Sequence, residues 1–233
     1  EVKTIDPRIN YQSKSLDIQN IKTQISIKSF IKGDFATKDL QISTKPIQIN
    51  NLITFARLIK NSPELFVLDK IIRSGYIIVD LTLNFDQNGK VQEDFKIKGI
   101  VRDGEIKFLK KYNLNDIDFI FNANKDKIDF QNLNFLLNNV KLLSKNIVLS
   151  KKDEQVFIEG TISNRDLQLK KAEIQQITKS FLPNLKAEKL HLSSKNSFSF
   201  KVDSKYKIKN LKFNSEIDLQ NITLNDIKFL KDF

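Results

Sequence analysis

The sequence predicts a mainly β protein, a long antiparallel meander with two or three short helices. Apolar and polar residues alternate in short runs over most of the chain, the period of a strand with one dry face. Turn residues separate these runs roughly every 8 to 12 positions, the spacing of a meander. A step of Asp, an apolar residue and Gln also recurs. It stands at Asp17-Ile18-Gln19, Asp39-Leu40-Gln41, Asp129-Phe130-Gln131, Asp166-Leu167-Gln168 and Asp218-Leu219-Gln220. At Leu16 to Ile21, Ile128 to Leu133 and Ile217 to Ile222 the step continues into Gln-Asn-apolar. One extra residue enters the alternation there and the apolar parity flips, so each such strand is expected to bend or bulge. The irregular spacing of the copies argues against a solenoid of fixed rung length.

Strand alternation begins near Leu16 and runs through Ile25, Ile27, Phe30, Phe35, Leu40, Ile42, Ile47 and Ile49. Pro46 keeps the last of these runs from a central place in a sheet. A helical hairpin is expected over 50–74. Asn50 can cap a helix with Leu52, Phe55, Ala56 and Ile59 on one face. Ser62-Pro63-Glu64 starts a second helix, which stops near Gly75. Strands then return at Tyr76 to Leu83. Asp86-Gln87-Asn88-Gly89 makes a turn, and Phe95 to Val101 form the next strand. Asp103-Gly104 is expected to turn the chain back into Ile106 and Phe108. Further strands follow at Ile117 to Phe121, Ile128 to Phe135, Leu142 to Leu149 and Val156 to Ile162. A third short helix is expected over 170–182, between strand blocks, with Ile174, Ile177 and Phe181 on one face and Pro183 after it. Alternation resumes at Leu190 to Val202 and from Ile208 to Phe229.

Composition narrows the chemistry. With 6 Gly and 4 Pro, the turn work falls to Asn and Asp. The 18 Phe and the many Ile supply a sizeable apolar face. The net charge of +11 is almost all Lys; Arg occurs only at Arg8, Arg57, Arg73, Arg102 and Arg165. Such a surface reads as solvated Lys, with a weaker attraction to anionic headgroups. Scarce Arg, absent Trp and Phe kept on the dry face argue against a nucleic-acid partner. Without Cys there is neither a disulfide nor a thiolate metal site. His191 is the single His, placed in a strand opposite two apolar neighbours and facing solvent. No catalytic residue, metal site or cofactor is expected, and no phosphate-binding or nucleophile-elbow motif occurs. No apolar run reaches the roughly 20 residues needed to cross a bilayer, and no signal peptide is visible. With Glu1 at its start, the chain reads as a piece of a longer parent.

The stretch Gly99-Ile100-Val101-Arg102-Asp103-Gly104-Glu105-Ile106-Lys107-Phe108 resembles a strand-turn-strand signature of the bacterial AsmA-like family. Asn115 to Phe121, Ile128 to Leu133 and Phe157 to Ile162 are similar to the strands that follow it there, and the helical pair at 51 to 73 is also family-like. The resemblance covers about residues 30 to 165. It implies one elongated segment over 1–233, a twisted open β-groove. It further implies a periplasmic protein of Gram-negative bacteria, tethered to the inner membrane by an anchor in the rest of the parent and met by an outer-membrane partner protein. The expected function is to bind phospholipid acyl chains and pass them between the two membranes. The groove residues are then Phe95, Ile97, Ile106, Phe108, Ile117, Phe119, Phe121, Ile128, Phe130, Val156, Ile158, Phe198 and Phe200. Lys96, Lys98 and Lys107 fall on the outer face. The alternative is a non-catalytic envelope scaffold, or adhesin-like module, with a closed core and an exposed edge strand that binds another protein.

Overall fold

The computed structural model describes residues 1–12, 14–33, 37–59, 62–108, 112–152, 155–171, 174, 189–205 and 207–220. One antiparallel sheet of thirteen strands accounts for most of them. In chain order these are β1 (Val2–Ile5), β2 (Arg8–Tyr11), β3 (Lys14–Ile25), β4 (Thr37–Thr44), β5 (Ile47–Gln48), β6 (Ile72–Asn84) and β7 (Lys96–Phe108). Then come β8 (Tyr112–Ala123), β9 (Lys127–Leu137), β10 (Val140–Lys152), β11 (Gln155–Lys170), β12 (Lys189–Val202) and β13 (Ile208–Gln220). The path runs β1-β3-β4-β6 and then strand by strand to β13, while β2 pairs with β3 and β5 with β6. The sheet is an open meander and does not close on itself. Pro46 leaves β5 two residues long and off the main path, as its missing N–H requires.

Asn and Asp make the turns. Between β9 and β10, Asn138 and Asn139 both hold positive φ, 47° and 71°, the requirement of a two-residue hairpin that follows strand twist. At Asp86 and again at Asp203, one carboxylate oxygen accepts the N–H groups two and four residues on, each at 2.9 Å. Asn124 does the same work before β9, accepting from Asp126 N at 3.0 Å and Lys127 N at 2.8 Å.

The parity flip after Gln-Asn is a bulge. On β9 the three residues from Gln131 to Asn134 advance against two on β8, and Asn132 sits at φ 52°. On β3 the extra residue is Gln19, between the pairs Ile18–Thr44 and Asn20–Ser43. The Asp218 copy pairs regularly with β12 as far as Gln220, and its Asn221 lies outside the described residues. Bulges also occur where no Gln-Asn announces them. Gly75, Asp103, Asp116, Asp166 and Asn210 hold positive φ inside β6, β7, β8, β11 and β13, and β10 shifts register between Leu143 and Ile147. Asn and Asp tolerate this left-handed backbone better than other residues with a Cβ.

Four expectations need correction. Asp103-Gly104 does not reverse the chain: β7 runs unbroken to Phe108, with Asp103 as its bulge. Asp118 Oδ1 accepts the Asp103 N–H at 3.0 Å and Asp118 Oδ2 stands 3.4 Å from the Arg102 guanidinium, so the bend is held laterally by β8. The run through Ile27 and Phe30 is not a strand. It is the helix α1 (Ile27–Lys32), capped by Ser26 and closed by Gly33 at φ 73°. Its Ile27, Phe30 and Ile31 have i, i+3, i+4 spacing. The helix α2 (Ile49–Ile59) begins before Asn50. Asn50 is therefore inside the helix, and its amide donates to Arg73 O at 3.0 Å. The helix α3 (Pro63–Ile71) has the expected Ser62 cap and Pro63 start, but it passes directly into β6 at Ile72, not at Gly75. Of the helix expected over 170–182, Lys171 and Ile174 are helical and the remainder lies outside the described residues.

Among the described residues, the buried ones form small clusters and no central core. α2 lays Phe55 on Leu16, Ile18 and Ile47, with Leu52, Ile9, Ile21, Ile42 and Ile77 around them. A second cluster joins Leu169, Ile174 and Leu190. The surface measures the consequence. A compact monomer of 27.1 kDa exposes about 10,900 Å², whereas this chain exposes 16901 Å². A single-layer sheet contributes to that surface, since among the described residues no second sheet covers the first as in a sandwich.

Candidate functional site: the inner face of the sheet

Strand pairing assigns every side chain to a face, because directly opposed residues point the same way. Ile97 opposes Leu81 and Ala123, Val101 opposes Ile77 and Phe119, and Phe121 opposes Phe130. Ile128 opposes Leu149, Leu149 opposes Ile158, and Ile158 opposes Phe200. One face, mostly apolar, therefore crosses the sheet from β6 to β13. It carries Ile97, Ile106, Ile117, Phe119, Phe121, Ile128, Phe130, Val156, Ile158, Phe198 and Phe200, as the sequence predicts. Phe95 precedes β7, just outside it. Phe108 is the last residue of β7, and its side chain lies outside the described ones. Lys96, Lys98 and Lys107 pair with Thr82, Asp80 and Asn113 on the opposite, outer face.

Aromatic rings line this face edge to edge. Phe119 meets Phe130 at 5.3 Å between centroids, nearly perpendicular, and Phe121 at 6.1 Å; Phe198 and Phe200 are 6.1 Å apart. Phe121 lies over Gly99, where an added Cβ would stand 2.4 Å from the ring. Gly160 receives Ile147 in the same manner, at 2.8 Å. Inner glycines thus make room for large neighbours, a role invisible in one sequence.

The bulges align from strand to strand. Gly75 stands against Gly104, 2.9 Å from where a Cβ would reach the Gly104 Cα, and Gly104 pairs with Ile117. Gly75, Val101, Gly104, Ile117, Phe135, Ser144 and Asn164 are all buried, though among the described residues no second sheet lies over them. They mark a crease along which each strand bends, and the crease is the floor of a trough running across the strands. Bulges bend and twist a strand locally, so a row of them curls a sheet. Val101, Gly104, Phe135 and the row of bulges were not expected as groove-forming residues. The signal available was an Asp or Asn interrupting an alternation.

The outer face is mostly polar, with one apolar stripe where Ile78, Ile100 and Ile120 oppose one another. His191 lies there too. Its Nδ1 is 2.5 Å from Asp166 Oδ1, an exposed structural pair on the bulge. Among the described residues, no group of His, Asp and Glu is arranged to hold a metal ion, and no helix is long and apolar enough to cross a membrane.

No family model matches this chain, and comparison with curated proteins and with solved structures found no match.

Proposed function

We propose that this chain binds acyl chains of phospholipid along its inner face and serves as a segment of a lipid-transfer path across a bacterial envelope. One observation carries the reading: a mostly apolar face, from β6 to β13, with no second sheet over it among the described residues. A protein in water keeps so large an apolar face open at a considerable free-energy cost. An acyl chain laid along it recovers about 0.8 kcal/mol for each buried methylene. The resemblance of Gly99 to Phe108 and the strands after it to the AsmA-like family supports the same reading and suggests periplasmic placement between two membranes. No chemistry is invoked, and the groove acts by shape and dryness.

Native mass spectrometry of the purified chain tests this. The protein is expected to carry phospholipid as isolated, or to take it up after delipidation. If neither preparation shows bound lipid, the proposal fails.

The alternative, a scaffold that docks another protein, has one observation in its favour. The edge strand β13 leaves Ile208, Leu211, Phe213 and Ile217 at 59 to 64% exposure, and an open apolar edge can accept a further strand. A protein partner protecting β13 amides from exchange, in a chain that holds no lipid, would favour that reading.

A further inference from the structure

The floor of the trough changes character along its length. Beneath β6 to β9 it consists of Gly75, Val101, Gly104, Ile117 and Phe135, all buried and none with a polar side chain. From β10 onward the same face carries Ser144, Asn164, Ser194, Asn196 and Ser215, interspersed with Leu142, Ile162 and Ile217. Ser144 Oγ donates to Asn146 O at 3.2 Å, and the other four are joined across three strands. Asn164 Nδ2 donates to Leu192 O at 2.7 Å, and Asn164 Oδ1 accepts from Ser194 Oγ. Asn196 Nδ2 donates to Ser194 Oγ at 3.0 Å and to Ile162 O at 3.3 Å, and its Oδ1 accepts from Ser215 Oγ at 2.7 Å. Asn164 and Ser144 are each 5% exposed, Ser194 and Asn196 are half-buried, and Ser215 is exposed. Burying polar groups on an otherwise apolar face is unfavourable unless they have work to do or partners to satisfy. Here the donors are largely used within the network. The amide and hydroxyl oxygens keep spare lone pairs, since each can accept two bonds.

The track is therefore rich in acceptors, and it is uncharged. On the inner face of β10 to β13, strand pairing places a charged side chain only at Lys151, near the far end of β10. An ionised phosphate would find no cation on this floor. An alcohol would find acceptors. Walls of Phe198 and Ile158 on one side and Leu167 and Leu192 on the other remain apolar.

Resting on the lipid-groove reading above, we infer that the polar track from Asn164 to Ser215 seats the hydroxyl-bearing, uncharged end of an amphiphile of the diacylglycerol class, with its tails on the apolar floor of β6 to β9. The trough thus gives its ligand a direction, tails toward Ile117 and polar end toward β13. The distance fits: β8 to β12 spans four strand spacings, about 19 Å.

Two measurements test this. The chain contains no Trp, so Phe119→Trp and Phe213→Trp each create a single fluorescent reporter at opposite ends of the trough. Diacylglycerol brominated at mid-chain is expected to quench the reporter at position 119 several-fold more strongly than that at position 213. Competition then compares diacylglycerol with its methyl ether, which has lost the donor hydroxyl. The wild-type chain is expected to prefer the free alcohol several-fold. The variant Asn164→Leu/Ser194→Ala/Asn196→Leu/Ser215→Ala, which removes every side-chain acceptor of the track and is checked for an unchanged circular dichroism spectrum, is expected to lose that preference while still binding lipid. Equal quenching at both positions, or equal uptake of alcohol and ether, overturns the inference and leaves the groove standing. Failure of the wild-type chain to take up diacylglycerol, its ether or phospholipid removes the groove reading and this inference together.

Discussion

Gly99 shows how a single missing Cβ shapes the apolar face. Its neighbour Phe121 occupies the space above it, and an added methyl would also meet Ile78 O at 2.8 Å. Gly99→Ala is expected to lower stability by about 1 to 3 kcal/mol, the range for overpacking, as read from urea midpoints. Asp203 acts through charge. The Lys207 backbone N–H, helped by the Lys209 ammonium and the Lys205 N–H, holds its carboxyl below the ordinary value of 3.8. A depressed carboxyl stabilises the fold above its ordinary pKa, and that contribution is lost as pH falls through the lowered value. The turn between β12 and β13 is thus expected to loosen in acid below pH 3.8. Amide exchange at Lys205 and Lys207 should rise there, beyond the intrinsic pH trend, and Asp203→Asn should remove the pH dependence.

Single strands were legible where their alternation was clean. The paired runs around Phe119, Phe130, Ile158 and Phe200 all fell on the face expected of them, because a period of two leaves little choice once a register is fixed. The bulges were legible only at Gln-Asn. Asp103-Gly104 has the composition of a turn, and nothing local distinguishes a hairpin from a strand that bends in place. The Asp118 side chain decides it from the neighbouring strand. α1 was misread because Ile25 and Ile27 extend the strand period into Ser26, whose capping role depends on Ser29 N turning back to it. The polar floor went unread although Asn164 follows the parity of Ile158 and Ile162, and Asn196 that of Phe198 and Phe200, because an Asn in an alternating run reads as an interruption and not as an inward residue. Asn132 offers a test of bulges as designed features. Asn132→Gly should be nearly neutral, whereas Asn132→Val forces a β-branched residue to φ 52° and should cost about 1 to 3 kcal/mol. Equal stability of the two variants, by thermal denaturation, would contradict the bulge in β9.

At the scale of the whole molecule the sheet is extended, since its clusters sit under α2 and at Leu169 to Leu190 and no described residue gathers the middle strands into a ball. A compact chain of this length has a radius of gyration of about 17 Å. Small-angle scattering is expected to give a value well above that, and a value near it would mean that the sheet folds over on itself. The aligned bulges carry one more consequence. Every strand from β6 to β11 brings its own bend, so the trough has no keystone: its cross-section is rewritten locally, strand after strand. Length is then a free variable. Removing the β9–β10 hairpin as a unit would keep the alternation of strand directions and shorten the trough by two strand spacings, about 10 Å, joining Ile117 to Asn164 along the floor. A fold of this kind can be cut or extended in pairs of strands like a ruler, with its reach set by the count of hairpins.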